Sequence, residues 1–145
     1  MFDSSMEATI RRAATADLDA IVRIEETGRG RWTRDQFAEE LALSFSEVHV
    51  LEIGGEVVGF AVAWRMAGDI QINNIAILPD RRRQGLGTML LMHAARGRGG
   101  KVLLEVDATN MAAIRFYEKN GFRATARRRR YYGDSDAILM ERDAV

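Results

Sequence analysis

Glu105 stands in the run Val102-Leu103-Leu104-Glu105-Val106, where every neighbour is apolar. A carboxylate in an interior strand is costly to bury unless it meets a polar cavity or a partner. Glu105 is therefore either a proton-handling or binding group, or a strand-end glutamate whose head reaches solvent. A second segment, Arg82-Arg83-Gln84-Gly85-Leu86-Gly87, lies between an apolar strand and a helix. Its glycines allow a tight turn with successive N–H groups outward, the helix beginning near Thr88 adds partial positive charge, and Arg81, Arg82 and Arg83 add forked donors. Such a loop can bind phosphate, although an isolated Gly-x-Gly also fits a charged surface turn. It lacks the Gly-Lys-Ser/Thr of a mononucleotide loop and the G-x-G-x-x-G of a dinucleotide loop. Tyr117, beside Phe116, is either a core aromatic or a hydroxyl available for chemistry. Tyr131-Tyr132 follows Arg127 to Arg130, in an aromatic hairpin turn or a contact surface.

The composition narrows these options. With no cysteine there is no disulfide framework, thiolate metal site or cysteine nucleophile. His49 and His93 belong to no cluster at ligand spacing, and no metal is expected. Lys+Arg and Asp+Glu are both 21, so the molecule's overall field attracts neither nucleic acid nor an anionic membrane. Strand alternation, moreover, puts Arg127 and Arg129 on one face and Arg128 and Arg130 on the other, diluting any RNA-binding patch. The opening MFDSSMEATI lacks the basic and apolar segments of a secretory signal, and a soluble cytoplasmic protein is the expectation.

A chain of 145 residues, 47% hydrophobic and without a Pro/Ser-rich linker, reads as one domain spanning residues 1–145. Residues 6 to 12 read as a strand. Thr15 is a candidate cap for a first helix carrying Leu18, Ile21, Val22 and Glu25. The second helix starts at a capping box, Thr33 with Gln36, and Trp32 and Phe37 occupy the positions of a hydrophobic staple. Val48 to Ile53, Val57 to Met66 and Ile70 to Leu78 read as strands in series. The loop of glycines then opens a short helix from about Thr88 to Arg96. A strand from Val102 to Val106, a helix from Met111 to Lys119 ending at Asn120-Gly121, and a hairpin of Phe122 to Arg130 with Ala137 to Met140 complete the order βααβββαβαββ. This is an α/β (α+β) chain with a mixed sheet of about seven strands and helices on both faces.

Within that frame the segment Arg82 to Gly87 resembles the R/Q-x-x-G-x-G/A pyrophosphate motif of the GNAT acetyltransferases. Asn74-Ile75-Ala76-Ile77-Leu78-Pro79 is similar to that family's N-I-A-V-x-P strand. Leu104-Glu105-Val106, Asn110, Ala113, Phe116-Tyr117 and Gly121-Phe122 resemble its LEV…N…A…YE..GF block. Arg127 to Met140 resembles the RR.YY….DAI.M hairpin of the N-terminal acetyltransferases, and the likeness is to the branch that acetylates the N-terminal alanine of a ribosomal protein (RimI type).

The resemblance implies splayed parallel strands that bind acetyl-CoA, the co-substrate. Ile75, Ala76 and Ile77 would pair with the pantetheine, and Arg82, Arg83, Gln84, Gly85, Leu86, Gly87 and Thr88 would hold the pyrophosphate. Asn110 would contact the cofactor near the pantetheine. It further implies Glu105 as general base, Tyr117 as general acid, the Ile77 N–H as oxyanion donor, and Tyr131, Tyr132 and Trp32 at the acceptor. The partner is then a protein N-terminus, with no membrane or direct nucleic-acid contact. One departure bears on stability: only thirteen residues separate Gly87 from Lys101, leaving a short helix after the glycine loop. An acetyltransferase for a small amine or a lysine side chain, and a non-catalytic CoA-binding or RNA-associated module, are the competing readings.

Overall fold

In the computed structural model, residues 7–97 and 99–145 are described, the side chain of Tyr132 excepted. They run β1 (Ala8–Arg12), α1 (Leu18–Glu26), α2 (Arg34–Ala42), β2 (Ser46–Ile53), β3 (Glu56–Met66), β4 (Asp69–Ile77), α3 (Leu86–Ala94), β5 (Lys101–Asp107), α4 (Met111–Lys119), β6 (Arg123–Tyr132) and β7 (Ser135–Asp143). The expected order of elements is thus the observed one. Seven strands form one sheet in the order β1-β2-β3-β4-β5-β7-β6, in which β4 and β5 are the parallel pair.

Alternation along the strands divides the core into two layers. Val48, Val50, Phe60 and Val62 pack with Leu18, Ile21 and Ile24 of α1 and Phe37 of α2. Leu51, Ala61, Ala63, Val102 and Leu104 point to the opposite face, against Leu90, Leu91 and Ala94 of α3, with Phe116 and Tyr117 of α4 packed beside them. No helix among the described residues is long and apolar enough to cross a membrane.

Local signals explain most boundaries. The Thr33 hydroxyl accepts from the Gln36 N–H, the Gln36 side chain accepts from the Thr33 N–H, and the Trp32 and Phe37 rings lie 5.2 Å apart. Helix α1 starts differently from expectation, because a 3-10 turn, Thr15–Asp17, precedes it. There Asp17, rather than Thr15, ties the turn: its carboxylate accepts from the Ala14 N–H at 2.7 Å and takes both Arg11 Nη atoms at 2.8 Å. A carboxylate can accept from a backbone donor and both guanidinium nitrogens together, three bonds where a hydroxyl oxygen has two lone pairs.

Helix α3 begins two residues before Thr88, since Gly85, at φ 78°, takes the position just outside the helix. Short as it is, α3 is anchored. Leu90 and Leu91 are wholly buried, and the following turn receives the chain's last residues through Ala144 N–H to Gly100 C=O and Val145 N–H to Ala95 C=O, both 3.0 Å. Gly100 is required in that turn, as a Cβ on it would lie 2.1 Å from the Gly68 carbonyl oxygen.

Candidate active site

The site forms where two parallel strands part. Pairing of β4 with β5 covers Ile70–Val102, Gln71–Leu103 and Ile72–Leu104, and then stops, although both strands continue. Beyond that fork β4 remains bonded to β3 alone. The Leu78 N–H donates to the Val58 carbonyl at 2.8 Å. Backbone donors alternate in direction along a strand, so the N–H groups of Ile77 and Ile75 point to the edge that β5 has left. These are donors at fixed spacing on an open strand edge.

At the end of β4 the chain enters the glycine loop. Arg82 Nε donates to the Ile77 carbonyl at 3.2 Å, which ties the loop to the fork. Arg83 has φ 64°, an uncommon conformation for a residue with a side chain, and Gly85 follows at φ 78°. Space around the missing Gly85 Cβ is open, with no atom within 4 Å. The first intrahelical bond runs from Met89 N–H to Gly85 C=O, so the N–H groups of Leu86, Gly87 and Thr88 make up the helix's first turn, whose donors have no intrahelical acceptor. Gly87 is confined differently, since a Cβ there would sit 3.3 Å from the Phe116 ring. Charge, dipole and open space together suit an anion such as a phosphate.

On the α1/α2 face a groove of about 340 Å³ opens at the same fork, lined by Trp32, Gln36, Trp64, Asn73, Glu105 and Tyr131 among others. Strand alternation accounts for Glu105: Val102, Leu104 and Val106 face the α3 core, so Glu105 faces the groove. Its carboxylate lies 3.5 Å from Arg128 Nη1 and keeps 23% of its side-chain surface exposed, within reach of water. Arg128 also stands 5.4 Å from the centre of the Tyr131 ring. Trp32 is fixed twice, by its ring against Phe37 and by its N–H donating to Glu25 at 3.0 Å. Trp64 donates from Nε1 to Glu40, which also accepts from the Ser46 hydroxyl, both at 2.7 Å.

Tyr117 approaches from the other face. It is half-buried, with ring centres 5.4 Å from Phe116 and 5.7 Å from Phe122. Base and acid candidates therefore flank the sheet at the fork instead of meeting in one pocket. Asn110 caps α4, its Oδ1 accepting from the Ala113 N–H at 3.3 Å. Tyr131 lines the groove and is half exposed, whereas the side chain of Tyr132 lies outside the described residues. The arginines near the tyrosines do not alternate as expected. A register shift between Arg128 and Tyr132, with Arg130 at φ 53°, breaks the strand period. Arg127 pairs with Asp136 and Arg128 with Glu105, so these two charges are spent on separate acids.

Residues without an expected role hold the groove together. Buried Glu25 accepts from Trp32 and, at 3.1 Å, from Asn74 Nδ2, joining α1, β4 and the loop before α2. Buried Asp107, just past Glu105, accepts from the Thr109 N–H and hydroxyl and from the Ser135 hydroxyl, and pairs with Arg29 and Arg31. These bonds, that from the Thr109 N–H first, keep its pKa below the ordinary 3.8. The Asp-x-Thr spacing, typical of an Asx turn, was the signal available in the sequence. His49 and His93 form an edge-to-face pair, ring centres 4.6 Å apart. Burial, with the neighbouring His93, pushes the His49 pKa down to about 4.

Similarity to known proteins agrees with this architecture. The profile of the acetyltransferase (GNAT) family matches residues 17–122. The ribosomal protein bS18-alanine N-acetyltransferase of Escherichia coli strain K12 is 36% identical over 141 residues, covering 91% of this chain and 95% of that protein. The N-alpha-acetyltransferase RimI of Mycobacterium tuberculosis is 32% identical over 146 residues, covering 94% of this chain and 92% of the relative. The crystal structure of the Escherichia coli ribosomal-protein-S18-alanine N-acetyltransferase superposes with a TM-score of 0.84 at 32% identity, over 95% of this chain and 94% of that one. With a family profile over most of its length and relatives above 30% identity along nearly all of it, the chain belongs to the GNAT family of acetyltransferases.

Proposed function

We propose that this protein acetylates the N-terminal α-amine of a protein, with the N-terminal alanine of a small-subunit ribosomal protein as the acceptor. The observation that carries the reading is the fork, where a cradle for an anion, an open strand edge and a groove containing Glu105 converge. Relatives named for N-terminal acetylation support the acceptor class. A ribosomal acceptor would place the reaction in the cytoplasm.

Acetyl-CoA, the family's donor, supplies an acetyl group activated as a thioester. The residues present fit it: Arg82 to Thr88 would hold the pyrophosphate, and the N–H groups of Ile75 and Ile77, with Ala76 between them, would pair with the pantetheine. Asn110, whose Oδ1 accepts from the Ala113 N–H in the helix cap, would border the same arm. Attack requires a neutral amine. Glu105, partly exposed, takes the amine's proton through water, and the Ile77 N–H offers a donor to the developing oxyanion. The Tyr117 hydroxyl holds a proton for the departing sulfur. Without cysteine the protein has no thiol to carry the acetyl group, so direct attack with donor and acceptor together at the fork is expected. Trp32, Tyr131 and Tyr132 hold the first residues of the acceptor.

An α-amine, with a reference pKa near 8 against about 10.4 for lysine, is easier to neutralise by roughly 3 kcal/mol. A carboxylate acting through water suits it better. Of the groove's three acids, which would suit a small polyamine, Glu40 is bonded to Trp64 and Ser46 and Glu105 is paired with Arg128, leaving Glu39 on the exposed rim. The test is mass spectrometry of a panel of N-terminal peptides incubated with the protein and acetyl-CoA. Acetylation of alanine-starting members is expected, and a panel left unmodified would refute the reading.

A further inference from the structure

We infer that Asn73 recognises the carbonyl group of the acceptor's first residue, and thereby selects an N-terminal α-amine over the ε-amine of lysine. This inference rests on the function proposed above and deepens it.

Asn73 occupies a singular place in the sheet. On one side, β3 pairs Val62 with Asn74 and Ala63 with Ile72, so no β3 residue stands opposite Asn73. It is the extra residue of a β-bulge. On the other side, pairing with β5 ends one residue earlier, at Ile72–Leu104. Bulge and fork thus coincide, and Asn73 is the first residue of β4 past the fork as Glu105 is the first of β5.

The bulge also changes which way the side chains face. Trp64 pairs with Gln71, on the α1/α2 face, and Asn74 returns to that face to meet Glu25. Asn73, between them, bonds to Gln71 and lines the same groove as Glu105, Trp32 and Tyr131.

Gln71 Nε2 donates to Asn73 Oδ1 at 3.0 Å. With Gln71 placed as donor the amide is oriented, because turning Asn73 alone would set two NH₂ groups against each other. The Asn73 Nδ2 is consequently directed away from Gln71. It is buried and is the one such side-chain nitrogen or oxygen among the described residues with no hydrogen-bond partner. A buried donor left without an acceptor is unfavourable, and native structures usually provide one.

The chemistry of Nδ2 defines its partner. As a donor it needs an acceptor, and an ammonium or amine proton cannot serve. An N-terminal residue carries a carbonyl oxygen on the carbon next to the one bearing its amine. A lysine ε-amine has only methylenes there, as do simple polyamines. With the amine at Glu105, an N-terminal residue can therefore present its carbonyl across the fork to Asn73, whereas lysine presents no acceptor. Since Asn73 would touch the substrate beside the reacting amine, its effect should appear in selection among acceptors and leave the donor untouched.

The test is a double-mutant cycle on acceptor chemistry. Wild-type protein and Asn73→Leu are assayed with an alanine-starting peptide, with the same peptide carrying an (E)-alkene in place of its first amide, and with a peptide whose N-terminus is blocked and whose lysine is free. Affinity for acetyl-CoA is measured in parallel, and Asn73→Ala carries the comparison should the leucine variant not fold. The expected result is a loss of about ten- to hundred-fold in kcat/KM on the alanyl peptide, the size of losing one hydrogen bond and leaving its partner unmet. No further loss is expected on the alkene peptide, no loss on the lysine peptide, and unchanged affinity for acetyl-CoA. Equal losses on the amide and alkene peptides, or undiminished turnover of the alanyl peptide, would overturn the inference alone. A wild-type protein that modifies the lysine peptide but not the alanyl one would overturn the proposed function and this inference together.

Discussion

On the glycine-loop side of the fork the groups offered to a ligand are main-chain: the outward N–H groups of Ile75 and Ile77, the left-handed turn at Arg83 and Gly85, and the first turn of α3. On the α1/α2 side they are side chains, brought together from five separate stretches: Trp32, Trp64, Asn73, Glu105 and Tyr131. The first arrangement needs glycines and tolerates most other substitutions, because backbone donors are the same whatever the side chain. The second can be retuned residue by residue. Such a division suits a protein that keeps one donor while its acceptor is chosen by shape and hydrogen bonding.

The largest effect is expected on the main-chain side. Gly85→Glu places a carboxylate in the open space of the cradle and strains a left-handed backbone, so acetyl-CoA binding should fall by on the order of a hundred-fold or more while the fold persists. Calorimetry on the folded variant decides it, and unchanged affinity would remove the cradle from the account. Next come the groups proposed to handle the protons. Glu105→Gln and Tyr117→Phe should each lower turnover by roughly 10²- to 10⁴-fold with acetyl-CoA affinity retained. pH–rate profiles on one peptide would expose the error if both variants kept wild-type turnover throughout.

On the side-chain half, Tyr131→Ala should raise the peptide KM by about ten-fold, in keeping with loss of one aromatic contact, and Tyr132→Ala is expected to act likewise, with little change for acetyl-CoA. Equal shifts for both substrates would mean that the hairpin serves only to build the structure. The smallest effect is a control outside both halves, since neither His49 nor His93 lines the groove. The folded pKa of His49, about 4, lies below its ordinary 6.5, so the unfolded chain takes up a proton first as pH falls. Stability from the neutral ring is therefore present above pH 6.5 and lost as pH falls from there toward about 4. Thermal melts should show that slope, and His49→Phe should lessen it, the lowered pKa of half-buried His93 keeping its own share, without altering the peptide KM.

The same division explains what could be read in the sequence. The glycine loop, the α2 capping box and the bounds of α4 are contiguous, so local spacing defined them. Glu105 stood out as a lone acid on an apolar strand. The groove's supports did not stand out. Glu25 and Asn74 are 49 positions apart, and an acid on an amphipathic helix gives no hint that it will cap a strand residue and a loop N–H. Nor does periodicity place an extra residue: the bulge at Asn73 and the left-handed Arg130 each shift the side-chain alternation by an amount that a count of apolar positions cannot detect. Residue type favours Thr15 as a cap, but the proximity of Arg11 to Asp17 gives that role to the carboxylate.

If the fork selects an α-amine, the choice should show within a single molecule. The most direct test uses one peptide that starts with alanine and carries a single internal lysine, both amines free, incubated with the protein and acetyl-CoA below one equivalent. Tandem mass spectrometry then locates the acetyl group. Selection at the fork puts it on the α-nitrogen of the alanine at every pH where the protein is folded; acetyl on the lysine ε-nitrogen, with the terminus left free, would refute that selection.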